Sequence, residues 1–519
     1  MDRRPGSKSE SRGDCPAPPP VARHQRPLKR ELMVKPNVVY ILADDMGYGD
    51  MECNNPGSRI PTPNLDRLAA QGMRFTDAHA PSSVCTPSRY AVLTGRYCWR
   101  TRLKEGVLWP WDPALIESDR LTVAELLRQN GYRTACIGKW HLGWNWQTRD
   151  GEPANSGTGY GVFDRDLRHE LGRNIDYEKP MGGGPIDCGF DHYFGDDVPN
   201  FPPYTWFEQD RVVTEPTEEK PEGMFGHVGA MAPGWALDAV MPEITGRSVS
   251  YMEESGEEKP FFLYFPLTAP HTPIVPTDEF RGMSGCGEYG DYMCEVDWCV
   301  GQVMAALERK GIADNTLLLF ASDNGPENPA YGHIQEYGHY SMAHLRGIKR
   351  DTWEGGHRVP FVARWPGVIA EGSACDQLTS HLDLLATCAD FLGAELPPEA
   401  GEDSVSQMPL FRGERSPRSF AVHHSCAGKF AMRRGEWVFI DAPSGDDNRE
   451  PQWFKDERGY TDHQFPGELY NLGDDIAERS NLYGDYPEVV RKLSQLLARV
   501  KEDAGSNPLS AEGESALSE

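Results

Sequence analysis

The chain lacks any run of about eighteen apolar residues, the length needed to cross a membrane, and it has no C-x-x-C pair or other zinc-ligand spacing. It has no internal repeat, and its basic N-terminus is not followed by the apolar core of an export signal. Positive charge is also scarce: 52 lysines and arginines stand against 79 aspartates and glutamates, a net charge of −27. These absences set aside a membrane span, a solenoid and a structural zinc site. The twelve cysteines, without an export signal, read as free thiols, and the expected location is cytoplasmic. The negative charge repels nucleic acid and anionic membranes alike, so neither is an expected partner.

What is present is ample for a core: 519 residues, 39% of them hydrophobic. Residues 1–32, rich in Pro, Ser, Arg and Lys, read as a disordered extension, with Met33 as an alternative start. Residues 33–400 are expected to form a catalytic domain, and 401–519 a smaller subdomain with a disordered tail.

Residues 38–43 are a continuous apolar run of the kind buried in parallel sheets, ending at Asp44 and Asp45. Residues 64–70 read as a helix, 73–75 as a short strand and 121–130 as a second helix. Residues 134–137 are a short apolar strand running into Gly138, Lys139, Trp140 and His141, and 144–187 read as a long polar loop. Residues 261–267 form a third apolar strand followed by His271. Residues 289–310 are helical, and 316–322 form a fourth strand running into Asp323 and Asn324. Alternating strands and helices predict an α/β fold: a large mixed, mostly parallel sheet sandwiched by helices. Ligands of such sheets bind beyond the carboxyl ends of the strands, where all four polar clusters fall. Residues 382–392 read as the last main helix; short strands at 420–422, 429–432 and 437–440, then an amphipathic helix at 488–500, predict a C-terminal antiparallel sheet plus helix.

One stretch names a chemistry: Cys85-Thr86-Pro87-Ser88-Arg89, followed by Leu93-Thr94-Gly95. Proline is tolerated in a first helical turn, so a helix begins near Thr86 with Cys85 at its mouth and Arg89 one turn along the same face. The helix dipole favours an anion there. Taken alone, Cys85 reads as a packing residue or as a thiolate nucleophile. Asp44, Asp45, Asp323 and Asn324 offer hard oxygen ligands, which suit Ca²⁺ or Mg²⁺ and not zinc. With Arg89, Lys139 and Lys349 they suit transfer of a sulfuryl or phosphoryl group, where charge must be stabilised on oxygen.

The Cys85 string is similar to the signature of the type I sulfatases, in which the cysteine is oxidised to formylglycine. The chain resembles that family, of the arylsulfatase A kind within the alkaline phosphatase superfamily, in an ordered series. P-N-V-V-Y-I-L-A-D-D-M-G is followed by C-T-P-S-R, G-K-W-H-L-G, A-P-H, S-D-N-G, the lysine before W-E-G-G-H-R-V-P, and E-L-Y-N-L. The resemblance implies metal ligands Asp44, Asp45, Asp323, Asn324 and the formylglycine from Cys85, a count that favours Ca²⁺ over Mg²⁺. It implies that Arg89 and Lys139 hold the formylglycine and that Lys139 and Lys349 bind sulfate. Asp323 would act as base, His271 would protonate the leaving alcohol, and His141 would take the proton of the second hydroxyl. A separate oxidising enzyme is the implied transient partner. The expected substrate is a small-molecule or oligosaccharide sulfate ester, with Trp109, Trp111, Trp144, Trp146 and Trp206 as sugar-packing rim residues and His339 and His344 as further rim candidates. Two other functions fit the same residues: a phosphonate or phosphate monoester hydrolase, and a non-catalytic binder of sulfated glycans in which Cys85 is unmodified.

Overall fold

The computed structural model describes residues 35–255 and 259–503. The expected disordered extension at 1–32, the alternative start at Met33 and the expected tail lie outside the described residues.

A ten-stranded sheet organises the larger part of the chain. In spatial order it comprises Ser373–Cys375, Met73–Phe75, Phe361–Arg364, Thr316–Ser322, Asn37–Asp44, Phe261–Pro270, Arg133–Ile137, His192–Gly195, Phe207–Glu208 and Arg211–Val212. The five strands from Thr316–Ser322 to His192–Gly195 run parallel. On Asn37–Asp44 the side chains alternate between two cores: Val38, Tyr40 and Leu42 enter one, Val39, Ile41 and Ala43 the other. Burial on both faces is why this strand reads as an unbroken apolar run. Helices Cys85–Thr94, Val123–Gln129 and Leu384–Leu392 cover one face, and Pro63–Ala70, Val240–Glu254 and Gly287–Lys310 the other. The expected α/β sandwich is the observed one.

Ile41 is fully buried in the middle of this sheet. Ile41→Ala removes contacts from a site that cannot collapse, and is expected to cost about 3 kcal/mol of stability by urea unfolding. A loss below about 1 kcal/mol would contradict that packing.

The region 144–187 is not loop throughout. It carries a helix at Arg165–Gly172, capped by Asp164, whose side chain accepts from the Leu167 N–H at 3.0 Å. Among its residues only Arg168 is buried, so no apolar stripe announces it. Helix Val240–Glu254 is a further element outside the expected set. Pro242 sits in its first turn, where the missing N–H is not needed, and Gly246 faces open space.

A second, four-stranded antiparallel sheet pairs Ala421–His424, Phe430–Arg434, Trp437–Ile440 and Glu468–Asn471. Helix Pro487–Glu502 packs Leu493, Leu496 and Leu497 against Val422, Met432 and Phe439, in a cluster that also holds Ala91 and Tyr97. The segment bearing Cys85 is thus braced from both sheets.

Candidate active site

Four adjacent parallel strands deliver their C-terminal residues to one place. Asn37–Asp44 ends in Asp44, and Asp45 follows in the left-handed region, with φ of 71°. That conformation is uncommon outside glycine and turns the second carboxylate toward the first. Thr316–Ser322 leads to Asp323 and Asn324, and Phe261–Pro270 to His271. After Arg133–Ile137 the chain turns at Gly138, with φ of 128°, where a Cβ would lie 2.0 Å from the Pro266 carbonyl oxygen. Only glycine permits that turn, which presents Lys139 to the neighbouring strand ends. Cys85 is the first residue of helix Cys85–Thr94, and Lys349 arrives from the loop before the short helix Glu354–His357.

The contacts form one network. Cys85 Sγ lies 3.5 Å from Asp44 Oδ1 and 3.9 Å from Asp45 Oδ1. Arg89 donates from Nε to Asp323 Oδ2 at 3.0 Å, pairs with the same oxygen through Nη2 at 2.8 Å, and lies 3.5 Å from Asp44. Its Nη1 donates to the Lys139 carbonyl at 3.4 Å. Lys139 pairs with Asp44, and Lys349 Nζ lies 2.8 Å from Asp45 Oδ2 and 3.5 Å from Glu327. Asn324 Nδ2 donates to Asp45 Oδ1 at 2.7 Å, and the Asp45 N–H donates to Asp323 Oδ1 at 3.2 Å. His271 Nε2 is 3.9 Å from Asp45, its Nδ1 donating to the Thr272 carbonyl. His141 donates from Nε2 to the Leu108 carbonyl at 3.0 Å, which leaves Nδ1 as a buried acceptor with no partner among the described residues. Its backbone is clamped by Asp197, which accepts its N–H at 3.0 Å, and by Thr86, whose hydroxyl donates to its carbonyl.

Charge here is crowded and buried. Against its burial, Lys139, His271, Arg89 and Lys349 hold the Asp44 carboxyl well below the usual range. Burial and the neighbouring Asp44 carboxylate push Asp323 up to about 7, with Arg89 opposing. Burial, then Lys349 and Lys139, depress His271 to about 4, and burial depresses His141 well below an ordinary histidine. Burial also raises the Cys85 thiol well above its ordinary value, which opposes the thiolate reading of Cys85. Three carboxylates converge here, and Arg89 bridges only two of them, Asp44 and Asp323. Atoms of Asp44, Asp45, Cys85 and Asp323 lie within 4.8 Å of one another, and Asn324 Oδ1 is buried without a hydrogen bond from any described residue. An oxygen-rich set with an orphaned carbonyl oxygen fits a hard divalent cation.

Three neighbours lay outside the expected set, Glu327 beside Lys349 among them. Asp196 and Asp197 follow strand His192–Gly195; burial raises them to about 7 and about 6, and both Asp196 carboxylate oxygens lack hydrogen-bond partners among the described residues. Their strand spans only four residues, so no long apolar run flagged its end. His79, His357 and His423 form a separate histidine-rich group, but the rings of His357 and His423 stack in parallel at 3.7 Å. A metal must lie in the plane of each ring it binds, so this group is packed rather than arranged for ligation.

The tryptophan rim is mostly core. Trp111, Trp144 and Trp146 are buried, with Trp111 against Trp146 and Trp144 against Tyr193 and Phe207. Trp206 stacks on Phe194 and meets Trp235 edge-on. His339 is buried and hydrogen-bonded to Asp50, and His344 packs edge-on against Tyr48. Trp144 donates from Nε1 to Asp197 Oδ1 at 3.3 Å, the oxygen that also accepts the His141 N–H, and Trp109 adjoins the site through Phe201, which meets the His141 ring edge-on at 5.8 Å.

A sequence profile of the sulfatase family matches residues 36–394. The chain belongs to the sulfatases. This sulfatase is 34% identical over 500 residues to N-acetylgalactosamine-6-O-sulfatase of Bacteroides thetaiotaomicron, an alignment covering 90% of this chain and 93% of that protein. It is also 34% identical to human arylsulfatase A, over 89% of this chain and 87% of the relative. A solved structure from a study of the metabolism of multiple glycosaminoglycans by Bacteroides thetaiotaomicron superposes with a TM-score of 0.76 at 30% identity, covering 90% of this chain and all of that one. The sulfatase is accordingly a sulfuric ester hydrolase. A phosphonate monoester hydrolase of Agrobacterium radiobacter shares the fold at a TM-score of 0.55 and 19% identity.

Proposed function

We propose that the chain hydrolyses the sulfate ester of a sulfated carbohydrate, with formylglycine made from Cys85 as nucleophile. Charge balance carries this reading. Asp44, Asp45, Asp323 and Glu327 face Arg89, Lys139, Lys349 and Arg350, which pairs with Glu327, four charges against four, so a divalent cation leaves a positive excess for the sulfuryl oxygens. Asp44, Asp45, Asp323, Asn324 and residue 85 would hold that cation, Ca²⁺ in preference to Mg²⁺ given so many protein ligands. When bound, it supplies positive charge where negative charge develops on oxygen. A separate maturation enzyme would oxidise the Cys85 side chain. The carbohydrate assignment is supported by the N-acetylgalactosamine-6-O-sulfatase relative.

In the proposed cycle the aldehyde is hydrated to a diol. With Asp323 as base, one hydroxyl attacks sulfur and the S–O bond to the sugar breaks as His271 protonates the leaving oxygen. His141 then takes the proton of the second hydroxyl, sulfate leaves and the aldehyde reforms. The unpartnered Nδ1 of His141 suits a base. His271 is tied at Nδ1 to a carbonyl, so Nε2 is its working nitrogen. The field of Lys349 and Lys139 helps to keep the ring neutral when no anion is bound, and an arriving sulfate ester offsets that field.

If His271 protonates the leaving group, its loss matters in proportion to the basicity of that group. His271→Gln is expected to slow desulfation of a sugar by about 10²- to 10⁴-fold and that of 4-nitrophenyl sulfate far less. Equal losses on both substrates would remove that role. Comparing sulfate and phosphate esters of one chromogenic alcohol tests the reaction itself, and faster phosphate cleavage would overturn it.

A further inference from the structure

Trp109 belongs to a line of aromatic rings leading away from His141. Phe201, which meets His141, stacks on Trp109 at 5.4 Å, and Trp109 lies 4.3 Å from Phe163. His227 touches Trp109, Phe163 and Phe201 at 5.1 to 5.9 Å. The line reaches the surface: Phe163 is 41% exposed and Val228, next to His227, 47%. It opens into a groove of about 540 Å³ walled by Arg165, Lys220, His227, Phe225 and Val228, with Glu222 its one acidic residue.

Core packing accounts for the inner rings but not for their continuation into an exposed apolar row on a polar segment. Such patches mark binding surfaces, and aromatic faces suit the C–H faces of sugar rings. The cations narrow the ligand. A protein of net charge −27 repels a polyanionic glycan unless cations reverse the sign along its path. Lys220 is held by the Pro221 and Met224 carbonyls, which orient its ammonium without neutralising it, and burial, then the nearby Arg165, depress His227 below an ordinary histidine.

We infer that this groove is a second anion-binding subsite, taking the carboxylate or sulfate of the sugar next to the one being desulfated. It rests on the reading of the chain as a carbohydrate sulfatase and adds that the substrate is an acidic oligosaccharide extended past Trp109.

The test offers N-acetylgalactosamine 6-sulfate alone, linked to a neutral sugar, linked to a uronic acid, and linked to a second sulfated sugar. An acidic neighbour is expected to raise kcat/KM about tenfold over the neutral one, and the two acidic arms show which anion is preferred. In the Arg165→Ala/Lys220→Ala variant the acidic-to-neutral ratio should fall toward one, with an unchanged melting temperature because neither side chain is in the core. A ratio that survives in this variant overturns the subsite. Calorimetric binding of the disulfated disaccharide separates the two readings if no sugar is turned over. Affinity lost in the variant keeps the subsite and overturns only the reaction, whereas equal affinity overturns the subsite.

Discussion

Incubated with substrate, a Cys85→Ser variant is expected to add about 80 Da, one sulfuryl group, to the peptide spanning residues 75–89 and then stop. In the mature wild-type protein the same peptide should weigh about 18 Da less than the unmodified thiol form, the difference between a thiol and an aldehyde side chain. The two masses probe one argument. A formylglycine diol has a second hydroxyl whose proton, taken by His141, expels sulfate. Serine has none, so its sulfate ester has no internal route to collapse, and steady-state turnover should fall by at least about 10³-fold. The structure adds that the unmodified thiol is a poor substitute, since burial holds it protonated beside Asp44 and Asp45. Sustained multiple turnover by Cys85→Ser, at a rate near that of the wild type, would sink the formylglycine cycle.

Most of what positions this site was legible because it lies on the most buried strands. Asn37–Asp44, Phe261–Pro270 and Thr316–Ser322 are covered on both faces, so each is a continuous apolar run whose end is marked by the first polar residue. That polar residue is itself a site residue in one of the three cases, Asp44; in the others Ser322 immediately precedes Asp323 and Thr268 lies three residues before His271. Elements that escaped have weak local signals for identifiable reasons. His192–Gly195 is short and carries a half-exposed histidine; Glu468–Asn471 lies inside a motif that matched the family but has only four residues; Val240–Glu254 contains a proline and a glycine.

The rim was misread for a different reason. Trp111, Trp144 and Trp146 lie in or beside polar stretches, and local polarity suggested exposure, yet the rings are buried, Trp111 against Trp146 and Trp144 against Trp140. Tertiary contact of this kind has no period in sequence. Trp109 differs from them only in its neighbours: Phe163, Phe201 and His227 come from separate segments, and no local pattern connects them. Side chains fixed by strand ends could be read from sequence, whereas those fixed by loops packing on loops could not.

The remaining large effect concerns the cation, and it separates two residues that share an oxygen. Asp45 Oδ2 lies 2.8 Å from Lys349 Nζ, so replacing either residue disturbs the other. Asp45→Asn is the appropriate change, because asparagine tolerates the positive φ of 71° that alanine would resist. It removes one of three carboxylates around the proposed cation and is expected to weaken divalent-cation binding about 100-fold or more, with activity falling in step. Lys349→Met should act in the opposite sense on the metal: it removes a competing positive charge, so the cation is retained while the ester loses a partner and KM rises. Measuring bound Ca²⁺ beside activity distinguishes the two. In the wild-type protein, chelation should also lower the melting temperature, since a ligand present at 100 times its Kd contributes about 2.7 kcal/mol to the folded state and its removal leaves Asp44, Asp45 and Asp323 in mutual repulsion. An Asp45→Asn enzyme that keeps its full complement of cation, or a chelated wild-type enzyme that keeps both its activity and its melting temperature, would show that these carboxylates do not form a metal site.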